Sequence, residues 1–145
     1  MTKAAIKAVV LCRRYAATLS YYDDWEDALR TSSRLNATLF DISDPEGATR
    51  LRRLMVDAEL IVALHSTNAD SVEPLGPYEP ALAERKNTPL VVFIGNEFSS
   101  PVPGMGMRDK LDLLQRLRPE FIATQLPVDV GRWLYEGVPG ARDVS

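Results

Sequence analysis

The stretch "LIVALHSTNAD", residues 60–70, sets five apolar residues directly against a polar run, a pattern that separates strand from strand end. Residues Leu60–Leu64 are continuous in apolar character rather than alternating. Such a run fits a strand covered on both faces, as in a parallel sheet packed between helices. The polar half opens with His65, the only histidine of the chain, and continues through Ser66, Thr67 and Asn68. A second run, "LVVFI" at Leu90–Ile94, has the same character and leads into Gly95, Asn96 and Glu97. Shorter apolar runs at Ile6–Leu11, Ala37–Phe40 and Phe121–Ala123 bring the expected strands to five.

Helical spacing fills the gaps. Residues 24–33 place Trp25, Ala28, Leu29 and Ser32 on one face, with Asp23 or Asp24 as the N-cap. Residues 47–57 align Leu51, Leu54 and Met55 after a Ser-Asp-Pro-Glu start, in which Pro45 suits a first helical turn. Residues 107–117 align Leu111, Leu114 and Leu117, and a last helix is expected over 129–136. The β-α alternation predicts one α/β domain over residues 1–145. Its expected form is a Rossmann-like three-layer αβα sandwich with a mostly parallel sheet of about five strands. Right-handed crossovers restrict it to a Rossmann-like or flavodoxin-like winding. The one long irregular connection, 95–107, carries three Gly and two Pro and has the character of a binding loop.

Composition narrows the function classes. With 145 residues, 46% hydrophobic and 26% charged, the chain can build a core without disulfides or metal. A net charge of −3 argues against nucleic acid as a partner. One cysteine excludes an internal disulfide framework, and no metal-ligand spacing is present. The N-terminal apolar run ends at Arg13–Arg14 after about six residues, too short for a signal-peptide core or a membrane span. The expected location is the cytoplasm, and no bound cofactor or metal is expected.

In a parallel α/β sheet, ligands gather beyond the carboxyl ends of the strands. That rule selects Cys12, Arg13, Arg14 and Tyr15 after the first strand, His65–Asn68 after the third, Gly95–Phe98 after the fourth, and Thr124 and Gln125 after the fifth. His65 has the ordinary pKa of a proton-transfer group and would need an orienting partner, which Glu97 could supply. It equally suits ligand contact, or a backbone hydrogen bond at the strand end. Glu97 reads as a base or as the ion-pair partner of Arg13 or Arg14. Gly95 calls for either a close backbone approach or a positive φ. No glycine precedes residue 47, so neither a dinucleotide fingerprint nor a phosphate loop can follow the first strand. Arg13 and Arg14 remain able to hold an anion. Tyr21, Tyr22 and Trp25 beside Asp23 and Asp24 form either a sugar-stacking platform or a capped, stapled helix entry. Cys12 reads as a small apolar filler.

The succession "YYDDWEDAL", "ELIVALHSTNADS", "PLVVFIGNEFSSP", "MRDKLDLL" and "FIATQLPVDVGRWLYE" resembles the N-terminal domain of bacterial glycosyltransferases of the two-Rossmann-domain (GT-B) type. The resemblance covers most of the chain. It implies an acceptor-side domain that meets a sugar nucleotide only together with a second, C-terminal domain. It further implies that the chain is the N-terminal half of a longer protein and transfers little sugar alone. His65, Asn68, Asn96, Glu97 and Gln125 would then line the cleft, joined by Arg13, Tyr22 and Ser66. The resemblance implies no metal and assigns no catalytic residue, so His65 and Glu97 stand only as candidates. Two other classes fit the residues: a stand-alone signalling or interaction domain of receiver or TIR layout, and a small nucleoside-processing enzyme using Glu97 and His65. A receiver would want an acidic pair after the first strand and an aspartate ending the third, where this chain has Cys12–Arg13 and His65. Homo-oligomerisation is left open.

Overall fold

The computed structural model describes residues 4–15, 20–44, 46–98 and 100–145. Strands β1 (Ile6–Cys12), β2 (Leu35–Asp41), β3 (Leu60–Ala63), β4 (Leu90–Phe93), β5 (Phe121–Ala123) and β6 (Asp143–Val144) form one sheet in the order β2-β1-β3-β4-β5-β6. Every neighbouring pair is parallel. Helices α1 (Ser20–Thr31), α2 (Ala48–Met55), α3 (Glu79–Ala83), α4 (Met107–Leu117) and α5 (Val128–Tyr135) connect them, with 3-10 segments at His65–Thr67 and Glu73–Tyr78. The three-layer α/β sandwich expected from the alternation is present, with a sixth strand of two residues at the β5 edge. The winding is the flavodoxin-like one, in which the chain reverses direction beside β1.

The two faces of the sheet are unequally covered. After β1 the chain steps outward to β2, whereas every later crossover runs the other way. Right-handed connections therefore put α1 alone on one face and α2–α5 on the other. The packing agrees. Val9, Leu11, Ile61, Ala63, Leu90, Val92, Ile122 and Val144 face a large core with Leu51, Leu82, Leu113, Leu114 and Tyr135. Val10, Cys12, Val62 and Leu64 form a smaller core with Leu29 of α1, and Val91 and Phe93 only partly buried beside it. One helix cannot cover six strands, so the α1 face stays open over β4–β6, where Phe121 is 37% exposed.

Three local expectations change. Helix α1 begins at Ser20, so Asp23 lies in its first turn and neither Asp23 nor Asp24 is the cap. Its inward stripe is Tyr22, Glu26 and Leu29 rather than Trp25, Ala28, Leu29 and Ser32; Glu26 is buried, Ala28 is exposed, and Ser32 lies beyond the helix end at Thr31. In α4 the expected Leu114 and Leu117 are buried and Leu111 packs partly buried against the core, while Lys110 and Leu113 join the buried stripe. The expected role of Pro45 lies outside the described residues.

Candidate functional site

All six strands end at one edge, and the polar residues read from the sequence converge there. At the reversal between β1 and β3, the crevice is closed by the chain's own side chains. The Arg13 amide donates to Ser66 Oγ (3.1 Å), and the Tyr15 hydroxyl donates to the Ser66 carbonyl (3.3 Å). Tyr15 stacks on Tyr22 at 5.4 Å between centroids, and the Arg13 guanidinium lies 5.1 Å from the Tyr15 ring centre. Arg14 uses its amide on Asp41 Oδ1 (3.3 Å).

The opening lies further along the edge, between α1 and the ends of β4, β5 and β6. It is a cleft of about 230 Å³ lined by Tyr21, Trp25, His65, Phe93, Thr124 and Gln125, with Ser145 at its side. Trp25 packs edge-on against Phe93 (5.2 Å) and is 36% exposed at the rim. Gln125 Nε2 donates to the Tyr21 hydroxyl (2.9 Å), tying β5 to α1 across the mouth. A larger cleft of about 340 Å³ lies at the opposite edge, lined by Arg52, Met55, Val56, Glu84, Arg85 and Lys86. Arg52 and Glu84 pair with each other there (2.8 Å), and no strand delivers its carboxyl end to it, so the smaller cleft is the better candidate.

His65 forms the floor. It is 4% exposed and is ringed by Tyr21 (4.7 Å), Tyr22 (4.9 Å) and Trp25 (6.0 Å). Its Nε2 is buried and has no hydrogen-bond partner among the described residues. Burial lowers its pKa to about 4, so the ring is neutral at pH 7.

The neighbours of His65 are structural pins. Asn68 is fully buried; its Nδ2 donates to the Phe93 carbonyl (2.9 Å) and its Oδ1 accepts from the Gly95 amide (3.0 Å). The amide group thus extends the β3–β4 ladder past the last backbone pair. Thr67 Oγ1 donates to the Leu64 carbonyl (2.7 Å). Gly95 satisfies one of its two expectations: a Cβ there would stand 2.7 Å from Ala69 Cβ and 3.1 Å from the His65 carbonyl oxygen. The positive φ belongs to the next residue, Asn96 (φ 50°), whose Nδ2 donates to the Ala69 carbonyl (3.1 Å).

Glu97 is committed. Its Oε1 accepts from Thr124 Oγ1 (2.5 Å) and from the Tyr135 hydroxyl, and its Oε2 accepts from the Gln125 amide (2.6 Å). Burial and this carboxylate push the Tyr135 phenol above its ordinary range. Among the described residues Glu97 pairs with neither Arg13 nor Arg14, and no hydrogen bond joins it to His65. Cys12 is fully buried, and burial followed by the Glu26 charge raises its thiol pKa.

One residue escaped the sequence reading. Lys110 of α4 is 0% exposed, and its ammonium donates to the carbonyls of Ala69 (3.3 Å), Gly95 and Asn96 (2.7 Å). Burial lowers its pKa, and the charges of Glu97 and Asp70 oppose that shift. Its sequence signal was its place in register with Leu113, Leu114 and Leu117. Among the described residues no group of three or more His, Cys, Asp or Glu side chains is placed to hold a metal, and no helix is long and apolar enough to cross a membrane. Compared with known proteins, the chain matches no family model, no curated relative and no solved structure.

Proposed function

We propose that this domain holds one ring of a sugar-containing ligand in the cleft at its carboxyl edge. In this reading it serves as the acceptor-side half of a glycosyltransferase, and a second domain brings the sugar-nucleotide donor. The observation that carries it is the composition of the cleft: two half-open aromatic rings, Tyr21 and Trp25, beside the polar ends of Gln125 and Thr124. Aromatic faces stack on the apolar faces of a pyranose, while amide and hydroxyl groups meet its hydroxyls. The volume of about 230 Å³ falls below the roughly 300–1,000 Å³ of complete ligand pockets, which suits a subsite for one ring in a shared cleft. The reaction's chemistry is assigned elsewhere, because Glu97 is held by three donors and His65 has no carboxylate partner among the described residues. The same two facts weigh against a nucleoside-processing enzyme built on this pair.

A stand-alone interaction domain is the second reading, favoured by the flavodoxin-like strand order and the open sheet face at Val91, Phe93 and Phe121. The two tryptophans separate the readings. Trp25 lines the cleft, whereas Trp133 is 72% exposed on α5. Titrating the 145-residue chain with a panel of methyl pyranosides should change tryptophan emission in the wild type and in Trp133→Phe, and leave Trp25→Phe unresponsive. No saccharide response combined with concentration-dependent self-association would favour the interaction domain.

A further inference from the structure

We propose that Lys110 is the positioning residue of the cleft, acting as a tethered cation whose placement reaches the Thr124–Gln125 wall through Glu97. A protonated lysine offers three N–H donors, and here three backbone carbonyls receive them: Ala69 after β3, and Gly95 and Asn96 after β4. Carbonyl dipoles aimed at one point repel each other unless a cation occupies it, the arrangement by which carbonyl rings hold monovalent ions. In this fold the ion is supplied covalently by α4, and the side chain is completely buried. The bend that brings the carbonyls together is visible in the backbone. Gly95 lies against Ala69 too closely for a Cβ, and Asn96 takes a left-handed φ of 50°.

The consequence for the cleft follows along the chain. The residue after Asn96 is Glu97, so the cage fixes where that carboxylate begins. Glu97 then fixes Thr124 by its hydroxyl (2.5 Å) and Gln125 by its amide (2.6 Å), and the Gln125 side chain holds Tyr21 (2.9 Å). A helix on the α2–α5 face thereby sets the geometry of a cleft roofed by the helix on the opposite face. Arginine cannot replace it, since a planar fork with five donors does not fit an enclosed three-carbonyl cage.

This role concerns the shape of the cleft; only the choice of ligand rests on the function proposed above. The experiment compares Lys110→Ala and Lys110→Met with the wild type by ¹⁵N NMR of Gln125 and by circular dichroism. Both variants should stay folded, with the Gln125 backbone and side-chain resonances displaced. Propylammonium should return the Lys110→Ala resonances toward their wild-type positions, while tetramethylammonium, which has no N–H donor, should not. Unchanged Gln125 resonances in both variants, or equal rescue by the two cations, would overturn the proposal. If neither variant folds, the wild type decides: the Lys110 ammonium should give a slowly exchanging ¹⁵N signal with hydrogen-bond couplings to the Ala69, Gly95 and Asn96 carbonyl carbons, and its absence overturns the proposal. Saccharide binding by the wild type tests the function separately, since its failure would leave the Gln125 response unaffected.

Discussion

Lowering the pH should destabilise this domain through one identifiable ring. His65 titrates near 6.5 in the unfolded chain and at about 4 in the folded one, because its aromatic surround excludes water from the charged form. Above pH 6.5 the ring is neutral in both states and adds nothing to the pH dependence. As pH falls from 6.5 the unfolded chain takes the proton first, so stability is lost progressively, and the loss levels off below about 4. At roughly 1.4 kcal/mol per pH unit, that interval accumulates to roughly 3 kcal/mol, a large share of the 5–15 kcal/mol typical of a domain. Because the chain has one histidine, its imidazole C2–H resonance reports the folded-state pKa without assignment ambiguity. Urea midpoints at pH 7 and pH 4.5 for the wild type and His65→Phe then isolate the stability effect, since the carboxylates titrate in both proteins. A resonance titrating near 6.5, with the two proteins losing stability in parallel, would refute the closed surround.

Other sites make independent tests. Gly95→Ala should cost roughly 1–3 kcal/mol in urea unfolding, because its Cβ meets Ala69 at 2.7 Å; Gly76→Ala, with nothing within 4 Å, should be near neutral. Asn68→Ala should cost roughly 2–4 kcal/mol by leaving the Phe93 carbonyl and the Gly95 amide unpaired in the interior. The Cys12 thiol, buried and with its pKa raised, should react with an aromatic disulfide reagent only at the rate of unfolding. Fast labelling of the folded protein would contradict that.

What the sequence made legible was the part governed by hydrophobic pattern. The runs Leu60–Leu64 and Leu90–Ile94 read as doubly covered strands and are the central pair β3 and β4; β3 is covered on both faces, whereas β4 is covered on the α2–α5 face and only partly on the α1 face. From them the strand-end rule reached His65, Asn68, Asn96, Glu97 and Gln125, and the structure brings these residues to one edge. Their division of labour was hidden, because it depends on partners far along the chain. Glu97 is occupied by Thr124 and Tyr135, and Asn68 by Phe93 and Gly95. Lys110 escaped because a charged residue in a leucine stripe reads as a solvated face until three carbonyls are seen around it. The sixth strand escaped because two residues carry no periodicity. The register of α1 slipped because its buried stripe holds Glu26, while Trp25 is spent on the rim of the cleft.

The proposed function places a sugar ring in the cleft under Trp25. The decisive measurement is ¹H–¹⁵N and imidazole NMR of the 145-residue chain during titration with methyl pyranosides. Saturable, millimolar-range shifts are expected, confined to the Trp25 indole, His65 and the Gln125 side-chain amide, and abolished in Trp25→Ala while the Trp133 indole stays still. Shifts that miss these three groups, or none with any pyranoside tested, would contradict the proposed function.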